Sequence, residues 1–235
     1  MLASLGGKWI LGKVFSMSTQ EHPISTRERF REQMREEVKE IASEQLLEGG
    51  PQGISLNAIA KRLAVSGSAL YRYYSNRDEL LGALVIDAYT DLRDALAADA
   101  ASNETGQELI DRVRSLARAY RDWARQQPHR YELLFKPPLP GYDAHSAPLA
   151  EAARSLMGVI LGVLAGRRSG QKAPAHLAND EVLTARGAGS EDYELALRLW
   201  SRLHGLVSLE IGGAYSAMHI DADALFEHEV KALAA

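Results

Sequence analysis

Cysteine is absent from all 235 residues, which excludes disulfides, thiolate zinc sites and cysteine nucleophiles. Such a chain suits a reducing cytoplasm, the compartment expected for it. No uninterrupted apolar run comes near the roughly 18 residues a membrane-spanning helix needs, so no membrane partner is expected. Catalytic signatures are missing as well: there is no HExxH motif, no glycine-rich phosphate loop and no GxSxG elbow. The seven histidines are scattered, and His219 with Asp221 and Asp223 reads as a loop entering a helix. Carboxylate pairs such as Glu36–Glu37 sit on a charged helical face. Neither catalysis nor a metal or other cofactor is expected.

The most telling scarcity is local. From Pro51 to Arg77 there is no acidic residue, while Lys61, Arg62, Arg72 and Arg77 are all present. The chain as a whole carries a formal charge of −4, and the helix just before this stretch is rich in glutamate. One basic face on an otherwise acidic protein is the electrostatic footprint of a specific nucleic-acid binder.

What is present is helical periodicity. Phe30, Met34, Val38, Ile41 and Ala42 fall on one face of a first helix, with Thr26 expected as its N-cap and Gly49–Gly50 as its end. Ser55 caps a short helix containing Leu56, Ile59, Ala60 and Leu63. Ala64–Val65–Ser66 make a tight connection, and Ser66 caps a second short helix, Gly67 to Tyr74. Ser75 opens a longer helix running towards Ala101, with Asp78 as the return partner of a capping box. Thr105 and Glu108 make another box ahead of Leu109, Val113, Leu116, Tyr120 and Trp123. Gln126–Gln127–Pro128 breaks that helix before a short one through Tyr131 and Phe135, and Pro137 to Gly141 form a stiff turn. Helices over 149–165 and 192–217 flank a polar loop, Gly166 to Ser190. That loop has room for one short helix around Glu181 to Ala185. A last helix follows Asp221 or Asp223. The expected fold class is all-α. Residues 1–24 read as a disordered arm, with Met17 an alternative start.

Two short helices joined by about three residues are the geometry of a helix-turn-helix, here Ser55 to Tyr74. Ile59, Ala60, Leu63, Val65, Leu70 and Tyr74 supply its core, and the second helix keeps a polar front suited to the major groove. The runs Ser55–Ala60, Leu63–Ser66 and Ala69–Leu80 resemble the DNA-binding domain of the TetR family of regulators, over about Arg27 to Leu84. Tyr74 and Arg77 stand where phenylalanine and lysine are commoner in that family. Both keep the chemistry, an aromatic plug and a cation. A second resemblance covers Trp200 to Glu210, similar to the tryptophan–histidine–glycine signature of one C-terminal domain type in the family. The run His129 to Phe135 and Pro140–Gly141–Tyr142 fit the same subgroup.

The resemblance implies a homodimeric regulator, usually a repressor, released from a double-stranded DNA operator by a small-molecule effector. It implies a DNA-binding domain over 25–84 and a helical ligand-binding and dimerisation domain over 85–235. On the first, Arg72 is the candidate for bidentate readout of guanine, with a phosphate contact as the alternative. Ser66, Gly67, Ser68 and Ala69 are short enough to permit close approach. Tyr71 and Tyr73 are expected on phosphates by resemblance, and Arg77 as a phosphate clamp. Ser55 is either a further contact or simply a cap. On the second, Tyr89, Tyr120, Trp123, Phe135, Met157, Trp200 and His204 are the candidates for an apolar effector pocket, though aromatic residues at helical spacing are more often core. Gly205, beside His204, is small enough to let another helix approach. Leu149 to Leu164 and Leu195 to Ile211 suit a four-helix interface between subunits.

Overall fold

A computed structural model describes residues 25–102, 108–136, 146–164 and 190–234. The arm, the stiff turn, Thr105 and nearly all of the polar loop therefore lie outside the described residues. Within them every regular element is helical: α1 Thr26–Gly49, α2 Leu56–Arg62, α3 Gly67–Leu70, α4 Arg77–Ser102, α5 Leu109–Gln126, α6 Pro128–Phe135, α7 Ala147–Leu164, α8 Ser190–Ile211, α9 Ala214–Ala217 and α10 Ala222–Ala234. A short 3-10 turn, Pro51–Gly53, joins α1 to α2.

Short polar side chains set the starts of the N-terminal helices, because each satisfies backbone amides that the first turn leaves free. Ser25, not Thr26, caps α1, and it forms a full capping box with Glu28. Ser55 Oγ accepts from the Ala58 amide and Ser66 Oγ from the Ala69 amide. At α4 the expected box is shifted by one residue. Asn76 Oδ1 accepts from the Glu79 amide at 2.8 Å, and Glu79 Oε2 takes the Ser75 amide in return at 2.7 Å. Asn76 and Glu79 therefore do the work assigned to Ser75 and Asp78. Glu108 stands at the N-cap of α5 and makes no side-chain capping bond.

Two further boundaries differ from expectation. The second short helix ends at Leu70, and its winding continues as tighter turns, with the amides of Arg72 and Tyr73 bonded to the carbonyls of Ala69 and Leu70. The helix expected over 192–217 stops at Ile211, where Gly213 takes a left-handed φ of +75° before α9 begins. Glycine adopts that conformation at no steric cost.

Two apolar clusters organise the packing. The head cluster joins Val38, Ile41, Ala42 and Leu46 of α1 to Ile59, Ala60, Leu70, Tyr74, Leu80, Leu81, Leu84 and Val85. The body cluster begins further along α4, at Leu92 and Leu96, and gathers α5, α7, α8 and α10. Helix α4, about 39 Å long at 1.5 Å per residue, runs through both. Leu133 of α6 and Leu149 of α7 belong to the head cluster, so the body contributes two side chains to the head's core. By length and composition α7 could cross a membrane. In the fold Leu149, Leu156, Ile160, Leu161 and Leu164 are buried, and the helix packs against α4, α5 and α8.

Candidate nucleic-acid interface and effector site

Helices α2 and α3 are held by Ile59, Ala60 and Leu70 beneath them. Their connection closes through a bond from the Val65 amide to the Ala60 carbonyl at 3.0 Å, with Ala64 in a left-handed turn at φ +55°. Tyr74 is fully buried and the Arg35 guanidinium lies 4.3 Å above its ring. Arg35 also donates to the Tyr73 carbonyl at 2.7 Å, which fixes the chain leaving α3. The core behind the turn is closed, so the polar residues in front of it face outward.

Ser66, Ser68, Tyr71 and Arg72 are exposed on that front; Gly67, Ala69 and Tyr73 are half-buried. The hydroxyls of Ser66 and Ser68 lie 3.0 Å apart. A β-carbon at Gly67 would meet only Asn57 Oδ1, at an ordinary 3.8 Å, so packing of α2 on α3 does not require this glycine. Ser55 is exposed, with its amide donating to Gln45 Oε1.

The four cations of the acid-free stretch do not behave alike. Arg62 is paired with Glu44, and Arg77, half-buried, donates to the Pro51 carbonyl. Lys61 and Arg72 are exposed. The basic face gains two members that periodicity hid inside a glutamate-rich helix. Arg27 and Arg31, one turn apart at the start of α1, line a cleft with Phe30, Ala69, Arg72 and Tyr73. Phe30 itself is 59% exposed and is not the core residue its spacing suggested.

In the body, the candidate pocket residues separate. Phe135, Trp200 and His204 come together, with the Phe135 and His204 rings 4.3 Å apart and the indole stacked on the imidazole at 6.1 Å. Their hub is Tyr131, whose hydroxyl lies 2.9 Å from His204 Nδ1 and donates to the His204 carbonyl at 3.1 Å. Tyr120 packs edge-on against Tyr131, its hydroxyl buried beside that of Tyr131. Burial drives the titration of this group. It raises the Tyr131 phenol to about 12, raises Tyr120 well above its ordinary value with help from the Tyr131 hydroxyl, and lowers His204. All three are uncharged at neutral pH. Trp123 points elsewhere, its indole N–H donating to Asp91 Oδ2 at 3.1 Å. Tyr89 packs against both clusters and Met157 against the body cluster alone.

A model of the bacterial regulatory proteins of the tetR family matches residues 40–84, and a tetracyclin repressor-like C-terminal domain matches 113–233. An HTH-type transcriptional regulator of Mycobacterium bovis is 35% identical over 225 residues, covering 90% of this chain and 95% of that protein. The chain belongs to the TetR family. It is, accordingly, a DNA-binding transcription regulator. A second relative, an HTH-type regulator of Mycobacterium tuberculosis, is 31% identical over 202 residues, covering 86% of this chain and 80% of the other. The crystal structure of a candidate regulatory protein, SCO4313, superposes with a TM-score of 0.73 at 43% identity, covering 89% of this chain and 98% of that one. A tetR-family regulator from Rhodococcus RHA1 shares the fold, at TM-score 0.55 and 19% identity, with coverage of 85% and 94%.

Within this TetR-family chain the C-terminal match includes Trp200, His204 and Gly205 as well as Tyr131. In the sequence Tyr131 has a place on the short helix but no role. The signal was its position four residues before Phe135, which puts both rings on one face of α6. The match for the DNA-binding domain begins only at residue 40, so Arg27, Phe30 and Arg31 lie outside it.

Proposed function

We propose that this regulator is a homodimeric repressor that binds a pseudo-palindromic operator and is released by a small apolar effector carrying one hydrogen-bonding group. The carrying observation is the front of the helix-turn-helix: Ser66 at the start of α3, Ser68 on it and Arg72 in the turns that follow are exposed, while Leu70 and Tyr74 seal the back. Arg72 reads guanine through two parallel hydrogen bonds, and Tyr71 and Tyr73 steady the helix on phosphates. Two heads related by a dyad reach successive major grooves about 34–36 Å apart.

The dimer is supported by open space on α7 and α8. A β-carbon at Gly162 or Gly205 would meet nothing within 4 Å among the described residues, and Leu209 is half exposed nearby in sequence. A second subunit is the helix that Gly205 admits. In this reading the effector binds at Phe135, Trp200 and His204, where Tyr131 and Tyr120 supply the polar anchor in an apolar wall. An effector releases DNA by favouring a head separation that misfits the operator. Helix α4, shared by both cores, transmits it.

Selection of bound fragments from a random DNA library by the full chain, at fixed salt, tests the reading. An enriched palindrome is expected, and Arg72→Ala reorders the preferred bases within it. A folded dimer that enriches nothing, before and after refolding to strip ligand, overturns the proposal. Transcription from the selected sequence, measured with and without the protein, gives the sign of regulation.

A further inference from the structure

We infer that the cleft between the first turns of α1 and the chain leaving α3 is a second DNA contact, taking one phosphodiester and its deoxyribose beside the groove that α3 enters. The inference rests on the DNA-binding reading but concerns Arg27, Phe30 and Arg31, to which neither the helix-turn-helix nor the family match assigns a role. The cleft has a volume of about 260 Å³ and is lined by Arg27, Phe30, Arg31, Ala69, Arg72 and Tyr73.

Three features give it this chemistry. First, it is cationic: Arg27, Arg31 and Arg72 make no ion pair or hydrogen bond among the described residues. The nearby Glu28 carboxylate is turned away, accepting from the Ser25 amide in the capping box at 2.9 Å. Second, it is built. One turn further along α1, Arg35 bonds the Tyr73 carbonyl and covers the Tyr74 ring, so the spacing of the two walls is set by the core. Third, Phe30 exposes most of its ring between the two arginines. A sugar face flanked by a phosphate fits an aromatic ring flanked by guanidinium groups. A wholly apolar partner does not fit, because it would bury three charges that have no counter-ion among the described residues.

The test uses the full chain and the DNA fragment that it selects, with binding followed by fluorescence anisotropy across a salt series. Each lost phosphate contact lowers the slope of log K against log[salt] by about 0.9. The double variant Arg27→Ala/Arg31→Ala should lose roughly tenfold in affinity, flatten the slope by about 1–2, and keep the wild-type ranking of base preferences. Arg27→Lys/Arg31→Lys should restore the slope. Arg29→Ala is the control, since its guanidinium bonds Thr26 Oγ1 and does not line the cleft; it should leave the slope alone. Phe30→Ala should weaken binding with the slope unchanged. An unaltered slope in the double variant overturns the inference. So does an Arg29→Ala effect of equal size, or a Phe30→Ala effect on the oligomeric state in place of DNA binding. If the wild-type chain selects no DNA at all, the underlying reading has failed instead, and the two failures are distinguishable.

Discussion

The head and the body are both helical, yet they are held together by different kinds of interaction. In the head, the helix starts are set by polar side chains acting over three residues: Ser25, Ser55, Ser66 and Asn76 each satisfy an amide of the helix they precede. In the body, α5 and α6 start without a side-chain cap, and the decisive polar contacts are distant in sequence. Arg121 of α5 makes two bonds of 2.7 Å to Glu210 of α8, reaches Asp223 of α10 at 2.6 Å, and stacks on Phe226. The head spends its short polar groups on helix starts, and of its cations Arg35, Arg62 and Arg77 are engaged within it while Arg27, Arg31 and Arg72 make no ion pair among the described residues. The body spends its charges on itself.

The sharpest way to break this contrast is to remove Arg121. Arg121→Ala leaves Glu210 with only Arg125, at 3.8 Å, and removes the buried tie between α5, α8 and α10 while the exposed Arg118–Glu227 pair remains. The expected loss is about 3 kcal/mol, at the low end for a buried ion pair because Asp223 is largely solvated. Thermal unfolding measures it. The isolated change should leave DNA affinity near wild type at temperatures where the protein stays folded, since no head residue touches this network; an equal loss of affinity would dissolve the distinction. Ser66→Ala is the reciprocal experiment. It should cost only about 1 kcal/mol, the ordinary worth of an N-cap, but weaken operator binding by more than its stability effect, because Ser66 shapes the exposed helix. Urea titration and anisotropy on one preparation compare the two numbers.

The smallest effect concerns pH. Burial lowers His204 below the 6.5 of an exposed histidine, so the unfolded chain binds more protons than the folded one as pH falls. Stability is therefore full above about pH 6.5 and declines through the folded-state value below it. His204→Gln should flatten the fall in melting temperature between pH 7.5 and 5.5. A wild-type-like slope in that variant would show that the imidazole does not report on the body's interior.

The same contrast explains what could be read from sequence. Ser55 and Ser66 were legible because a cap is a local event whose partner lies three residues away. Where two capping residues stand side by side, as Ser75 and Asn76 do, pattern alone chose the wrong one by a single position. Phe30 misled because periodicity gives a face and not an end: α1 starts before the head core does, so its first apolar residue overshoots. The Arg121–Glu210 pair joins residues 89 positions apart, and nothing in the spacing of either could announce it. Tyr131 became a hub only when α6 was laid against His204. Arg27 and Arg31 lay hidden among glutamates until the fold put them opposite Arg72.

Leu133 and Leu149 carry a consequence for engineering. Exchanging DNA-binding heads between regulators presumes two separable modules joined by a connector. Here the seam falls inside a single helix, with Leu84 and Val85 serving one core and Leu92 and Leu96 the other, so any splice must preserve helical phase as well as length. Even an in-phase splice would bring a new head down onto two leucines chosen for the old one. A working chimera must therefore carry the matching residues at 133 and 149 along with the head. The unit of inheritance is the head plus its two body-borne side chains, a discontinuous stretch of sequence that no cut at a loop can isolate.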